Sequence, residues 1–458
     1  MKSIFIFHRD FRLIDNTALI AALTDSDNVL PIFIFDPRQI SSQNSYKSNN
    51  CIQFMIQSLL DLDRQLSDKG SRLFFFHGPP AFVLTKLIHA YQAEAVYFNI
   101  DYTLFAKTRD QELEAVCQKL KIPCYQLEDY LLQPVASVTT GNGTVYTKFT
   151  PYFNKVHSLT VREIESNKRS NYASAKLKLP AELDKTDLSK LYKNNPHLLE
   201  AGGRTNALKK LAKIELFTHY NKERNNPNIP TTQMSAFIKF GCVSIREVYW
   251  KFHEKLGTKN DLIKQLYWRD FFYNIAYTYP TIFQGISIKP KYDKIKWHTN
   301  TAWFQKWCDG TTGFPMVDAG MRQMNKTGFM HNRLRLVVSN FLVKVLLLDW
   351  RLGEKYFAQT LYDYDPSVNN QSWSWSAGSG ADSQPYFRIF NPWLQSKKHD
   401  PLCQYIKLWI PELASIPIKH IHQWYQYHGV SSLDYPAPIV DYHKQKTLSL
   451  KLYKTILY

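Results

Sequence analysis

The chain has 458 residues, room for two or three domains that each bury a full core. Lys plus Arg number 57 against 39 for Asp plus Glu, a net charge of +18 that favours a polyanionic partner, nucleic acid or an anionic surface, over a neutral one. Six cysteines scattered without C-x-x-C spacing argue against a zinc ribbon and a disulfide framework, and reduced thiols are expected. The most apolar stretch, Leu334 to Leu348, is broken by Arg335, Ser339, Asn340 and Lys344. It lacks the run of about 18 apolar residues that a membrane span needs, so a buried core helix is expected there. The apolar run from Met1 to Phe7 is too short before His8 and Arg9 for a signal peptide, so a cytoplasmic, intracellular protein is expected.

Residues 1–130 alternate strand and helix. Short apolar runs at Ser3–Phe7, Val29–Asp36, Arg72–Gly78 and Ala95–Asn99 are rich in β-branched and aromatic residues, as buried parallel strands are. Between them Ile52, Met55, Ile56, Leu59, Leu62 and Leu66 recur at helical spacing, and Thr103–Leu120 predicts a second helix. The expected fold is a doubly wound α/β domain with a parallel sheet. No G-x-G-x-x-G follows the first strand; H-R-D-F-R-L-I-D-N occupies His8–Asn16, so a nucleotide would be held elsewhere.

A connection over residues 131–200 follows, rich in Lys, Ser and Asn from Asn154 onward, and is expected to pack across the α/β domain. Within it, Asn142-Gly143-Thr144 fits a glycosylation acceptor but predicts a turn. Residues 201–458 form a mostly α-helical domain, with helices predicted at Asn206–Leu216, Ser244–Lys255, Asp261–Tyr277, Thr301–Trp307, Val317–Met324, Asn332–Asp349 and Glu354–Leu361. All eleven tryptophans fall between Trp250 and Trp424, which implies two parts with different work.

Three stretches of the helical part carry candidate chemistry. Asp363 and Asp365 flank Tyr364, and Asp365-Pro366-Ser367 suits a helix N-cap with proline at the first helical position. The same D-x-D could hold a divalent metal, as in a nucleotidyl or glycosyl transferase, or a nucleotide-like ligand; nearby Arg335 and Asn369 favour the ligand. Tyr267–Tyr273 sets an arginine among aromatic residues, either core or a surface for stacked bases and phosphate. Thr231, Thr232 and Ser235 precede a helix start, either as caps or as hydroxyls for a diphosphate.

Taken together, L-Y-W-R-D-F, G-F-P-M-V-D-A-G-M-R-Q-M, F-M-H-N-R-L-R, D-W-R-L-G-E-K-Y-F, N-N-Q-S-W-S-W and P-Y-F-R-I-F-N-P resemble the DNA photolyase and cryptochrome family. The similarity is strongest to its class I cyclobutane pyrimidine dimer photolyases and extends over nearly the whole chain. It implies FAD, active when reduced, with Tyr220, Thr231, Thr232, Met234 and Ser235 at its phosphates and ribityl chain. Asn332, Arg335, Asp363 and Asp365 would line the flavin, with Arg335 paired to Asp363 and Asn369 at flavin N5. Trp373, Trp350 and Trp297 match the family's electron-transfer line from flavin to surface. Damaged DNA is the implied partner. A flipped dimer would meet Trp268 and Phe329, with Arg224, Gln265, Arg269, Asn332, Arg333, Leu336 and Gln395 around it. No metal is implied, and a monomer is expected.

Several positions depart from the family pattern. Gln265 stands where class I enzymes usually carry Glu, Phe329 where Trp is usual, Leu336 where Met is usual, and Gln233 where Arg is usual. Gln265 is shared with the (6-4) photolyases, which however carry His where this chain has Asn332. Phe105, Ala106 and Gln43 replace the antenna residues of folate-binding relatives, so a second, antenna chromophore is possible without its identity being implied. The expectation is light-driven repair of cyclobutane dimers; a cryptochrome-like photoreceptor and a (6-4) photolyase are the alternatives.

Overall fold

In the computed structural model, which describes residues 1–430 and 433–457, five short strands organise the first of two units. They are β1 (Lys2–Ile6), β2 (Asn28–Phe35), β3 (Phe74–His77), β4 (Ala95–Asn99) and β5 (Cys124–Leu127), all parallel in the order β3-β2-β1-β4-β5. Ile4, Phe5, Leu30 and Ile32 are fully buried because helices cover both sheet faces, which is why the central strands read as unbroken apolar runs. The covering helices are Thr17–Asp25, Asn49–Ser67, Pro80–Tyr91 and Leu104–Leu120. Strand β5 and the helices Thr17–Asp25 and Pro80–Tyr91 were not expected. Strand β5 is a four-residue edge with little burial, too short and too polar to leave a periodic trace.

This first unit comprises Met1–Asn195, Glu200–Thr218 and Gln233–Pro280. The lysine-rich connection lies along the sheet: Tyr172 bridges to Val29, Glu182 bridges to Phe76, and Ser71 Oγ donates to Ala173 O at 2.6 Å. Asn142-Gly143-Thr144 sits in a tight turn, with Gly143 N–H donating to Thr140 O at 3.0 Å and Gly143 at φ 74°. The H-R-D-F-R-L-I-D-N segment is internal. Arg12 pairs with Asp129, and Arg246 reaches Asp15 and Asp129 at 2.7 Å each, all four side chains within 3% of full burial. Ions this deep persist only when mutually compensated, and the two arginines hold the Asp129 carboxyl far below the carboxylate range against its burial. The motif is thus a structural knot.

The second unit comprises Pro196–Leu199, His219–Thr232 and Thr281–Tyr458, and it is helical. Its core joins Val317, Met321, Leu334, Val338, Leu342, Phe357 and Trp373, all at most 2% exposed. Here the expected helix Asn332–Asp349 is corrected. The α-helix ends at Asn340, a π turn spans Phe341–Val345, and Trp350 opens a new helix, Trp350–Thr360, capped by Asp349. Leu346 N–H donates to Phe341 O, five residues back, and Leu347 takes φ 56°. That extra residue per turn breaks the axis. A stretch apolar on every side gives periodicity nothing to register, so the break left no sequence signal. Smaller corrections are Asn206–Leu216, observed as Arg204–Leu211 followed by a 3₁₀ turn at Ile214–Phe217, and Val317–Met324, extended to Pro315–Thr327. No helix of the described residues is long and apolar enough to cross a membrane.

Candidate functional site

Within the second unit, the G-F-P-M-V-D run is architecture. Asp318, fully buried, accepts from Thr312 N–H (2.9 Å) and Oγ1 (2.6 Å), Gly313 N–H (2.9 Å) and Tyr435 O–H (2.6 Å). It locks the turn that leads into the Pro315–Thr327 helix. The helix Asn332–Asn340 then presents Arg335, whose Nη2 donates to both Asp363 oxygens at 3.0 and 2.9 Å, while its Nε donates to Met330 O. Asp365 caps the helix Pro366–Ala377 through the N–H groups of Ser367 and Val368. The two carboxylates therefore do different work, one pairing an arginine and the other satisfying a helix start. Among the described residues no group of three or more His, Cys, Asp or Glu could hold a metal ion.

From that helix Asn369 donates through Nδ2 to the backbone oxygen of Glu354 at 3.2 Å and to Glu354 Oε1 at 3.0 Å. This orients the amide. Glu354, 4% exposed, was not singled out from the sequence; its only trace was its place in the D-W-R-L-G-E-K-Y-F motif. On the same helix Ser367 Oγ, Asn370 Oδ1 and both amide atoms of Gln371 are buried without a hydrogen-bond partner. Buried polar atoms are almost always satisfied, so a row of unsatisfied ones fits a polar ligand.

Trp373, on the same helix, meets Phe357 at 5.0 Å and Trp307 at 6.0 Å between ring centroids. Gly353 makes room for it: a Cβ there would lie 2.2 Å from Trp373 Cη2. Trp350 lies one turn before Gly353 and is 2% exposed, with Arg351 over its ring. Trp297 is half-buried and touches Tyr453 at 6.3 Å; its neighbour His298 donates N–H to Leu347 O, close in sequence to Trp350. Trp307, the ring that meets Trp373, was not among the expected three.

The remaining expected residues of this unit have varied exposure. Phe329 is 6% exposed and stacks near Tyr362 with Arg335 over its face. Asn332 is exposed, whereas Tyr220, Arg224, Thr231, Thr232, Arg333, Leu336 and Gln395 are half-buried. Arg333 donates through Nε and Nη2 to Asn225 Oδ1, and Gln395 Oε1 is a buried acceptor without a partner.

In the first unit, Gln265, Trp268 and Arg269 share the helix Asp261–Thr278. Trp268 stacks on Phe149 at 3.6 Å with the planes 7° apart, and Gln265 Nε2 donates to Asp261 O at 3.4 Å. Arg269 donates to Tyr130 O and pairs with Asp270, with its side chain 12% exposed. Met234 is buried and Ser235 exposed; Gln233, at φ 53°, accepts from Lys210 Nζ at 3.0 Å.

The same unit holds a second feature. Strand order reverses between β1 and β4, and ligands of open α/β sheets bind beyond the strand ends at such a reversal. There His8 Nδ1 accepts from Arg109 Nη2 at 2.9 Å, and its Nε2 is buried without a partner. Burial and Arg109 keep this imidazole neutral. On the flanking helix Leu104–Leu120, Phe105 carries Arg38 over its ring at 5.2 Å. His8, Arg38 and Arg109 escaped the sequence reading because the reversal exists only in the assembled sheet.

A parallel α/β unit with a strand reversal and a helical unit with unsatisfied buried polar atoms and indoles define a two-part class of protein. Family models match twice: DNA photolyase over residues 3–169, and the FAD binding domain of DNA photolyase over residues 262–455. The deoxyribodipyrimidine photo-lyase of Alkalihalophilus pseudofirmus is 35% identical, covering 98% of this chain and 97% of its own, and that of Escherichia coli is 31% identical, covering 98% and 97%. An archaeal photolyase structure from Sulfolobus tokodaii, with two FAD molecules, superposes at TM-score 0.90 with 39% identity, covering 99% of this chain and 100% of that one. A class III photolyase from Agrobacterium tumefaciens superposes at TM-score 0.91 with 29% identity, covering 99% and 97%. The chain belongs to the DNA photolyase family, and FAD is its cofactor.

Proposed function

We propose that this protein is a deoxyribodipyrimidine photo-lyase, repairing cyclobutane pyrimidine dimers in DNA under blue light. The observation that carries the reading is the Pro366–Ala377 helix, which sets Asn369, anchored by Glu354, beside unsatisfied Ser367, Asn370 and Gln371 and ahead of Trp373. Reduced FAD supplies, when bound and excited, the electron that opens the cyclobutane ring and accepts it back.

The protein's own residues bind and orient. Arg335 neutralises Asp363 so that a carboxylate can line a buried pocket, and Asp365 keeps the helix start in place. Tyr220, Thr231, Thr232, Met234, Ser235 and Asn332 complete the cofactor contacts, and residues 201–458 are the working catalytic domain in this reading. In this reading Gln265, Trp268 and Arg269 of the first unit are DNA contacts, and so, within the second unit, are Arg224, Phe329, Asn332, Arg333, Leu336 and Gln395, the aromatic rings suiting a flipped base, the amides pyrimidine edges and the arginines phosphates. Trp373, Trp350 and Trp297 would carry an oxidising equivalent away from the flavin during photoreduction. The strand ends around His8, with Phe105 and Arg109, would suit a second planar chromophore; a relative that holds two FAD molecules, that of Sulfolobus tokodaii, makes a flavin a candidate for it.

The test is to illuminate the FAD-loaded, reduced protein with a dimer-containing oligonucleotide and follow recovery of absorbance near about 260 nm as bases reform, against a dark control. Light-dependent recovery is expected. Bound FAD with no recovery would overturn repair and leave the photoreceptor alternative. Trp373→Phe is expected to slow photoreduction at least about tenfold without changing DNA affinity, a factor worth roughly 1.4 kcal/mol in barrier; photoreduction at the parent rate would remove the tryptophan line.

A further inference from the structure

In the first unit Lys239 Nζ donates to Cys51 Sγ at 3.0 Å. Lys239 closes the short helix Ser235–Lys239 and is 8% exposed. Its ammonium lies 4.3 Å from the centre of the Phe240 ring, and among the described residues no carboxylate pairs with it. A buried ammonium is costly unless it is compensated, and here the sulfur is the polar partner. Cys51, half-buried, is the third residue of the helix Asn49–Ser67, and its N–H donates to the cap Ser48 Oγ at 3.2 Å. An ammonium and a helix N-terminus are both surroundings that favour thiolate, the form that attacks peroxide.

The contact is held from several sides. One turn after Cys51, Phe54 packs on Phe237 at 5.0 Å and on Phe240 at 5.6 Å between ring centroids, and the Lys239 carbonyl accepts from Tyr130 O–H at 2.7 Å. Sulfur and nitrogen therefore stand at the near-attack distance of about 3–3.5 Å without movement of the backbone. The other cysteines lack this setting: Cys117, Cys242, Cys308 and Cys403 are buried, and Cys124, half-buried like Cys51, has the Cys117 thiol as its neighbour in place of a cation.

We propose that Cys51 and Lys239 form a peroxide-responsive pair that closes into a covalent sulfur–nitrogen link, a sulfenamide, and so clamps the helix Asn49–Ser67 to the helix Ser235–Lys239. The oxidant is hydrogen peroxide, which forms wherever reduced flavin meets dioxygen. In the first step the Cys51 thiolate attacks one peroxide oxygen and the O–O bond breaks. The departing hydroxide takes a proton from the Lys239 ammonium, leaving Cys51 sulfenic acid, water and a free Lys239 amine. In the second step the amine nitrogen attacks sulfur, the S–O bond breaks, and the hydroxyl leaves as water with one amine proton. Sulfur loses two electrons and peroxide gains them. A thiol reductant reverses the link, restoring thiol and amine while the reductant becomes a disulfide. The link joins positions far apart in the chain, so it restrains the unfolded state as a disulfide does. It is independent of the repair reading.

The test adds hydrogen peroxide to the FAD-loaded, full-length protein in the dark and maps its peptides by mass spectrometry without reductant. A peptide pair joined through Cys51 and Lys239 is expected, lighter than the sum of its parts by about 2 Da and released by thiol. The linked protein should unfold in urea at least about tenfold more slowly than the reduced protein. Lys239→Arg keeps the cation but offers no amine nucleophile, so Cys51 should stop at the sulfenic acid and be captured by dimedone, and Cys51→Ser should give neither product. Three outcomes in the parent overturn the inference: Cys51 left unreacted, Cys51 carried on to sulfinic acid with no joined peptide, or a joined peptide heavier by about 16 Da because it retains the peroxide oxygen. A linked protein that unfolds at the reduced protein's rate overturns the clamp. Should Lys239→Arg not fold, the parent's peptide map decides. Light-driven repair is assayed on protein that has seen no peroxide, so failure of the link and failure of repair are read separately.

Discussion

Lys344 is fully buried, with one weak acceptor, Tyr386 O at 3.3 Å, and the ring of Tyr453 3.6 Å from its ammonium. Burial lowers its pKa from 10.5 to about 7. The unfolded chain then binds a proton that the folded chain lacks between those values, so stability rises with pH across that window and is lower beneath it. Lys344→Met should raise stability at neutral pH by about 1–4 kcal/mol and remove the rise, as read from urea unfolding near neutrality and near pH 10. An unchanged profile would mean that the ammonium is solvated. Gln265 concerns function instead. An amide can donate and accept but supplies no negative charge, so Gln265→Glu should increase dimer repaired per absorbed photon severalfold, roughly 1 kcal/mol of added stabilisation at most. A lower yield would show that the chain is tuned to its amide.

At the scale of an element, the Pro366–Ala377 helix separates two roles of one side chain. Asp365 accepts from Ser367 and Val368 N–H, and an asparagine at an N-cap does this as well as an aspartate. Asp365→Asn should therefore keep the melting temperature while lowering FAD retention, whereas Asp365→Ala should lose both, the cap costing about 1–2 kcal/mol. Equal FAD content in the parent and the asparagine variant would assign Asp365 to capping alone. The helix before it makes a related point. The π turn at Phe341–Val345 ends one helix early and lets Trp350 begin another, so that Gly353 falls against Trp373.

For the whole molecule, the excess of +18 charges points to phosphate-driven association. Affinity for undamaged duplex should fall at least about 100-fold between about 50 and 200 mM salt, while the preference for dimer-containing duplex persists, because counterion release carries no sequence or lesion information. A salt-independent affinity would move the charge excess to solubility.

Sequence by itself determined the class of each part. The apolar runs of β1 to β4 are legible because a strand buried on both faces must be apolar throughout, and the motifs around Asp318, Arg335, Asp363 and Asn369 stand close enough in the chain to be read together. Only the tertiary structure decided which motif residues hold the fold and which are left to meet a ligand. Asp318 and the Arg12–Asp15–Asp129–Arg246 knot are saturated internally, and Glu354 turns out to hold Asn369. The helix break at Asn340 and the strand reversal beside His8 were equally invisible. Each depends on partners far apart in the chain, and hydrogen-bond satisfaction and charge compensation are properties of the assembled surroundings, which residue order does not display.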